Sequence, residues 1–188
     1  MSLLDPAINA CITTLESIRP LAPQLDAAAD LVRTALLNGG KLLACGNGGS
    51  ASDSAHFTTE FVCRFMGDRR PYPAICFASE GSAVSAIGND YAFDEVFARQ
   101  VRAFGRPGDV LVVFTTSGNS RNIARALEEA QHLGVKTVAF LGRDGGFTRG
   151  LADVELRVEG TVTARIQEAH KLLLHVLCET VESALARV

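Results

Sequence analysis

The chain has 188 residues, with 18 basic and 21 acidic side chains and a formal net charge of −3. Hydrophobic residues make up 47% and charged residues 21%, which excludes a disordered chain, and the mild acidity (pI ≈ 5.8) argues against nucleic-acid or membrane-surface partners. This is the length of one domain, so we expect residues 1–188 to form a single domain. No apolar run approaches the ~20 residues of a membrane span. The five cysteines form no CxxC pair and indicate reduced thiols, so we expect a cytoplasmic protein.

The first forty residues predict two helices. Apolar side chains recur at helical spacing over residues 4–18 and 25–36, and prolines and a glycine pair break the pattern between and after them. We expect residues 1–40 to form a helical extension that packs on the domain. The stripe on the first helix is too apolar for an exposed helix of a monomer, so it indicates a protein partner.

After residue 40, short apolar runs alternate with amphipathic stretches. The runs predict strands at residues 41–45, 73–77, 109–114, 136–141 and 154–158. The amphipathic stretches predict helices at residues 50–65, 93–104 and 119–133, and a long closing helix at residues 162–188. Asn89-Asp90 is expected on a loop before the 93–104 helix. The alternation predicts an α/β fold with a doubly wound parallel sheet flanked by helices, whose ligands bind where strands end.

The first candidate site is the turn Gly46-Asn47-Gly48-Gly49-Ser50, which follows the first predicted strand. Glycines permit a tight turn and a close approach of the backbone, and the next helix points free N–H groups at an anion. The turn partly matches a dinucleotide fingerprint, but the acidic residue expected about 20 positions later is missing. A tight turn without any ligand is the alternative.

The second candidate site is Thr115-Thr116-Ser117-Gly118-Asn119-Ser120, which follows another apolar strand and opens another helix. Four hydroxyls in six residues exceed what capping a helix requires and suit the oxygens of a phosphate monoester. No GKS or GKT follows, so this is not a nucleoside-triphosphate loop. A polar turn without a ligand is again the alternative.

Two groups of side chains could carry out chemistry. His56 and Glu60 lie four residues apart, and therefore on one face of the helix that leaves the first loop. A solvated ion pair is the ordinary meaning of that spacing. The second group lies on the closing helix.

On the closing helix, Glu168 and Lys171 align best with His175, whereas Gln167 is offset by about 80°. Spacing alone does not choose among these side chains. A buried His or Gln satisfied by the backbone stays open as the alternative.

Six motifs, taken in order, resemble those of the sugar isomerase (SIS) domain and, more narrowly, the phosphoheptose isomerase family. They cover nearly the whole chain and read CGNGGSASDSAHFTTEF, RPYPAI, IGNDYAFDEVF, GDVLVVFTTSGNS, LGRDGG and ARIQEAHKLLLH. The resemblance implies a doubly wound α/β sandwich assembled as a homotetramer, with active sites between subunits. It also implies isomerisation of sedoheptulose 7-phosphate to D-glycero-D-manno-heptose 7-phosphate through an enediol(ate), for bacterial lipopolysaccharide or capsule.

The same resemblance implies roles for individual residues. Glu60 would be the catalytic base and His175 the partner acid or base. One zinc ion (Zn²⁺) per subunit would be held by His56, Glu60, Gln167 and His175. The implied substrate-binding residues, with the hydroxyls on the phosphate, are Asn47, Gly48, Gly49, Ser50, Glu60, Arg64, Asn89, Asp90, Thr115, Thr116, Ser117, Ser120 and Gln167.

Two positions depart from the common family pattern. Thr115-Thr116-Ser117 stands where Ser-Thr-Ser is common, and Ala164 stands where phosphoheptose isomerases usually carry Asp. Replication-initiator-binding relatives share a small residue before ARIQE but lack the distal histidine, which is His175 here. A non-catalytic phosphosugar-binding adaptor is therefore the alternative function, and a nicotinamide oxidoreductase is a third hypothesis.

Overall fold

The computed structural model describes residues 2–185, which fold around a five-stranded parallel sheet. The strands, in chain order, are β1 (Leu42–Gly46), β2 (Ala74–Cys76), β3 (Val110–Thr115), β4 (Lys136–Gly142) and β5 (Val154–Val158). The helices are α1 (Leu4–Ser17), α2 (Ala22–Leu37), α3 (Gly49–Val62), α4 (Gly81–Asp90), α5 (Ala98–Phe104), α6 (Arg121–His132) and α7 (Thr163–Leu185). Short 3₁₀ helices occupy Arg19–Leu21, Phe93–Glu95 and Gly146–Thr148.

The sheet is covered on both faces because successive side chains of a strand point in opposite directions. Leu42 and Ala44 of β1 belong to a core shared with α2, α3 and α7. Leu43 and Cys45 belong to a second core, shared with α5 and α6. The predicted doubly wound fold is therefore confirmed, and the near-continuous apolar runs are explained by burial on two sides.

The strand order is β2-β1-β3-β4-β5, so the chain leaves β1 toward one edge of the sheet and returns to β3 on the other side of β1. β1 and β3 are neighbours, and Gly46 pairs with Phe114 at their carboxyl ends. In such sheets this reversal opens a crevice outside the strand ends. Both candidate loops lie at this crevice, although their sequences are far apart.

The two N-terminal helices differ in how many of their residues are buried. α2 places six residues in the core, whereas α1 has no buried residue. α1 packs on α7, where the guanidinium of Arg165 donates to the carbonyl oxygen of Ala7 at 2.7 Å. Leu4, Ile8 and Ile12 keep 63%, 46% and 48% of their surface exposed. The predicted apolar stripe is thus on the surface.

The prediction of a loop at Asn89-Asp90 is wrong, because both residues end helix α4. The carboxylate of Glu80 accepts a hydrogen bond from the backbone N–H of Ser82 and caps this helix. Apolar residues three apart on α4 pack against the second core. That spacing and the capping carboxylate were sequence signals for the helix, but its glycines and serines resemble a loop.

The predicted 50–65 helix is also wrong at its C-terminal end, because α3 stops at Val62. The backbone N–H groups of residues 65–67 donate to the buried carboxylate of Glu182 on α7, at 2.7–3.0 Å. These bonds hold the chain in a turn rather than a helix. Arg64 therefore lies beyond α3, not one helical turn after Glu60.

The remaining boundaries agree more closely with prediction. The 93–104 helix is interrupted after Glu95 and resumes at Ala98, while residues 186–188 of the predicted closing helix lie outside the described residues. Within residues 2–185, no helix is both long enough and apolar enough to cross a membrane.

Candidate functional site

The two strand-end loops are joined by a pair of amide side chains. Asn47 of the first loop donates to Asn122 at 2.8 Å, and Asn122, on the first turn of α6, donates back at 2.9 Å. Asn47 was predicted to bind substrate; the pair uses one N–H and one lone pair of its amide, so a second N–H and a second lone pair remain. Asn122 was missed by sequence reasoning because only the register of β1 and β3 brings it to Asn47.

Gly46 and Gly48 allow the first loop to turn sharply into α3. A Cβ on Gly46 would lie 2.4 Å from the carbonyl oxygen of Ser50, and Gly48 adopts φ +55° just before the helix. No residue with a Cβ fits at Gly46 unless the backbone moves. The loop therefore brings the main chain to the edge of the crevice, with Gly49 as the first residue of α3.

The second loop is ordered by its own hydroxyls. Thr115, buried at the end of β3, accepts from the N–H of Gly118 at 3.2 Å. Ser117 accepts from the N–H of Asn119 at 3.1 Å. The Ser120 side chain makes no capping hydrogen bond to α6. The N–H groups of Ile123 and Ala124 donate to its carbonyl oxygen, so the first N–H groups of the helix are the ones that face an anion.

A third segment supports this loop from behind. A Cβ on Gly118 would lie 2.0 Å from the carbonyl oxygen of Gly145, and the hydroxyl of Thr148 donates to the carbonyl oxygen of Gly118 at 2.6 Å. Gly118 also has φ +66°. The LGRDGG motif, to which the sequence assigned no role, therefore holds the hydroxyl-rich loop in position.

A cluster of side chains joins α3 to α7 beside the first loop. Nε2 of His56 lies 2.7 Å from Oε1 of Glu60 and 3.3 Å from Nε2 of His175. The predicted helical pair and the distal histidine thus meet, although 119 positions separate the two histidines. Helix packing brings them together, which spacing on either helix alone could not establish.

A buried ion pair extends the cluster. Nζ of Lys171 lies 2.8 Å from Oδ1 of Asp53 and 3.1 Å from Nδ1 of His56. Asp53 is 5% exposed, and its second carboxylate oxygen has no hydrogen-bond partner. Asp53 was missed by the sequence analysis, although its place three residues before His56 puts it on the same helix face. Lys171 was noted for its alignment with His175 but was given no role.

His175 is held in its neutral form. Burial lowers the pKa of its imidazole, and the neighbouring His56 and Lys171 lower it further, while Glu60 opposes the change. A neutral imidazole keeps one nitrogen lone pair free. His175 can therefore accept a proton near neutral pH.

Gln167 lies at the first loop. A Cβ on Gly49 would lie 2.2 Å from its amide nitrogen, so the side chain rests on the backbone of that glycine. A pocket of about 430 Å³ opens here, lined by Gly49, Asp53, Ala164, Gln167, Glu168 and Lys171. Ala164 contributes only a methyl group to this wall.

Three predicted substrate-binding residues have their hydrogen-bond partners outside the cluster. Arg64 is exposed and donates to the carbonyl oxygen of Met66 at 3.3 Å. Asn89 and Asp90 are exposed, and Asn89 donates to Asp90 at 2.8 Å. Helix packing within one chain therefore unites only part of the predicted site.

The implied zinc ion can be tested against the donor atoms. Zinc–nitrogen bonds of about 2.0–2.1 Å at tetrahedral angles put two donors about 3.3–3.4 Å apart, which is close to the 3.3 Å between the nitrogens of His56 and His175. Glu60 would be a third donor, and its Oε1 lies 2.7 Å from Nε2 of His56. Within residues 2–185, no three His, Cys, Asp or Glu side chains are arranged so that they could hold a metal ion. The spacing of the two histidine nitrogens therefore fits two zinc ligands, with the carboxylate of Glu60 next to one of them.

A parallel sheet with a polar crevice between β1 and β3, lined by a glycine turn and a hydroxyl loop, is the arrangement of a SIS domain. The family model for the SIS domain matches residues 8–142. The match spans β1 to β4 and therefore includes both loops.

Comparison with whole proteins identifies a narrower family among the proteins that contain a SIS domain. A phosphoheptose isomerase from Shewanella loihica is 45% identical over 184 residues, covering 96% of this chain and 93% of the relative. The solved phosphoheptose isomerase from Neisseria gonorrhoeae is 42% identical, with a TM-score of 0.90, covering 96% of this chain and 97% of that one. One from Francisella tularensis is 39% identical, with a TM-score of 0.92, covering 97% and 100%. The chain belongs to the phosphoheptose isomerase family.

Proposed function

We propose that the chain isomerises sedoheptulose 7-phosphate to D-glycero-D-manno-heptose 7-phosphate, and that the product supplies heptose for bacterial lipopolysaccharide or capsule. Membership of the phosphoheptose isomerase family supports this, with 45% identity over 96% of the chain. The observation that carries the proposal is the contact of His56 with both Glu60 and His175 beside the two polar loops. A protein that only bound phosphosugars would need the loops but not this cluster.

The phosphate of the substrate binds the hydroxyl-rich loop in this proposal. Thr115, Thr116, Ser117 and Ser120 offer hydroxyls, and α6 offers uncapped N–H groups with the positive end of its dipole. The glycine turn, Gly48 to Ser50, accommodates the sugar because it presents backbone rather than side chains. The phosphate would then fix the distance from the loop to the reacting carbons.

The chemistry moves a proton between two adjacent carbons. Glu60 takes a proton from C1 of the ketose while the carbonyl oxygen at C2 gains one, which gives an enediol. The hydroxyl at C1 then loses its proton and C2 gains one, which leaves an aldehyde at C1. His175 is the partner that exchanges protons with the two oxygens, since its neutral imidazole has a free lone pair.

A zinc ion, held by His56, Glu60, Gln167 and His175, is part of the proposal. When bound, it would act as a Lewis acid toward the two sugar oxygens. Glu60 would then be both a metal ligand and the catalytic base. These two roles compete, because a bound metal lowers the basicity of a carboxylate. The spacing of the two histidine nitrogens supports the ligand set.

A homotetramer with active sites between subunits is also proposed. The exposed apolar stripe of α1 supports it, together with a groove of about 430 Å³ between α1, α2 and α7 that is lined largely by apolar side chains. In such an assembly Arg64, Asn89 and Asp90 would complete the site of a neighbouring subunit. A cytoplasmic location is proposed as well, because all five cysteines are free thiols.

An isomerase assay tests the proposed function. We expect sedoheptulose 7-phosphate to be converted, with deuterium entering C2 of the product in D₂O, and a chelator to reveal whether zinc contributes. Ala164 motivates the alternative of a phosphosugar-binding adaptor. Binding of the phosphosugar without turnover or deuterium exchange, with and without added Zn²⁺, would favour that alternative and reject the isomerase.

A further inference from the structure

We propose that Lys171 is a positioning residue that fixes the tautomer of His56 and thereby weakens zinc binding at this site. The inference rests on the proposed function only in taking His56, Glu60 and His175 as zinc donors. The juxtaposition that carries it is the Lys171 ammonium on the outer nitrogen of His56, 3.1 Å away. Nothing in the proposed isomerisation requires a lysine at this place.

The hydrogen-bond partners assign the tautomer. An ammonium group has three donors and no acceptor, so Nδ1 of His56 must accept from Lys171. In the neutral imidazole the proton then resides on Nε2, which lies 2.7 Å from the carboxylate of Glu60. The lone pair on Nε2 that a metal needs is therefore absent in this state.

The buried carboxylate of Asp53 keeps the lysine in place. Its Oδ1 lies 2.8 Å from the ammonium, and Asp53 itself is 5% exposed, so the carboxylate is shielded from water. Asp53, Lys171, His56 and Glu60 thus form one chain of polar contacts, in which the ammonium donates a hydrogen bond to Nδ1 of His56. Each member supports the orientation of the next.

Zinc binding through Nε2 of His56 requires the opposite arrangement. The proton must move to Nδ1, and the usual outer partner of a zinc-binding histidine is a carboxylate, a carbonyl or water, which accepts that proton. Here the partner is a donor and carries a positive charge. The ion must therefore displace the lysine from Nδ1 as well as the proton from Nε2 of His56.

Zinc affinity tests the inference directly. Zinc-free wild type, Lys171→Met and Lys171→Arg are titrated with Zn²⁺ against a competing chelator at one pH, with Lys136→Met as a control that removes the same charge from an exposed pair. We expect Lys171→Met to bind Zn²⁺ about 10- to 100-fold more tightly than wild type, which is the range over which outer partners of zinc ligands act. Lys171→Arg and Lys136→Met should stay close to wild type. Equal or weaker binding by Lys171→Met overturns the inference.

The tautomer is read independently by ¹⁵N NMR of the imidazoles in the zinc-free protein. The chain has four histidines, so loss of a signal in His56→Asn assigns His56. We expect the Nε2–H form in wild type and Lys171→Arg, and a shift toward the Nδ1–H form in Lys171→Met. An Nδ1–H form in wild type overturns the inference. Neither readout uses sedoheptulose 7-phosphate, so failure of the isomerase assay leaves both standing, and their failure leaves the isomerase proposal intact.

Discussion

The two parts of the candidate site are built in different ways. The hydroxyls of the second loop follow one another in the sequence, and the loop is shaped by bonds within it, such as the N–H of Gly118 to Thr115, although Thr148 supports it from outside. The cluster of His56, Glu60 and His175 depends on α3 and α7 packing side by side. In the proposed function the loop binds the phosphate and the cluster carries out the proton transfers. Binding and chemistry should therefore be separable by mutation.

The largest effect is expected from Glu60→Gln, which should impair the chemical step while leaving substrate binding nearly unchanged. The amide keeps the shape of the side chain but cannot take up a proton from carbon, so kcat should fall about 10²- to 10⁴-fold. Substrate binding should change little because both loops are untouched. The measurement is turnover of sedoheptulose 7-phosphate together with deuterium exchange into the sugar.

Glu128→Gln is the matched control for this change. It makes the same substitution on the exposed face of α6, where the carboxylate only pairs with Arg125. The control should keep wild-type kcat. Exchange and isomerisation at the wild-type rate in Glu60→Gln would show that the base is another residue.

Ser117→Ala is expected to have the opposite effect, weakening substrate binding while leaving the chemical step nearly unchanged. A hydrogen bond to a charged group is worth about 1.5–3 kcal/mol, so KM for the phosphorylated sugar should rise about 10- to 100-fold. kcat should change much less, because the cluster is untouched. Ser85→Ala, on exposed α4, removes a hydroxyl outside the loop and serves as the control. An unchanged KM in Ser117→Ala would place the phosphate elsewhere.

A smaller effect concerns stability rather than catalysis, and it comes from His170, which joins α7 to the strand beside the second loop. The ring is fully buried, Nε2 lies 3.1 Å from the carbonyl oxygen of Leu141, and burial lowers its pKa to about 4. The unfolded chain, with a pKa of about 6.5, binds more protons than the folded one between these values. Stability should therefore fall as the pH drops below about 6.5, by about 2 kcal/mol from pH 8 to pH 5.

Denaturant unfolding of wild type and His170→Gln at pH 8 and pH 5 measures this contribution. Carboxylates whose pKa is lowered, such as Glu182 with its backbone hydrogen bonds, act alike in both proteins. The variant should lose about 2 kcal/mol less than wild type on acidification. Equal losses would mean that another group is responsible.

The contrast between local sequence patterns and helix packing also explains which features could be predicted from the sequence. The strands, both loops and the His56–Glu60 pair come from patterns within a few residues, so they were accessible from the residues alone. The meeting of His175 with that pair was implied only by family resemblance, because helix packing determines it. Lys171 was aligned with His175 but its contact with Asp53 was not foreseen, since an ion pair across two helices leaves no local pattern.

Two errors have one physical origin. Arg64 was placed on α3 by helical periodicity, but bonds to Glu182, more than a hundred residues later, end the helix early. Asn89 was placed on a loop before the predicted 93–104 helix, whereas contacts with the second core stabilise α4. In both cases long-range contacts decided where a helix begins or ends. Local propensity alone could not supply that information.

The smallest expected effect tests whether the two loops are positioned together. Asn47 and Asn122 exchange two hydrogen bonds, so Asn122→Ala should lower the free energy of unfolding by about 1 kcal/mol and raise KM modestly. Since truncation of a buried side chain has its own cost, the informative quantity is the coupling in a double-mutant cycle with Asn47→Ala. We expect the second substitution to cost clearly less in the background of the first, by about 1 kcal/mol in denaturant unfolding. Strictly additive costs would mean that the pair does not couple the loops, and that each strand end holds its own loop independently.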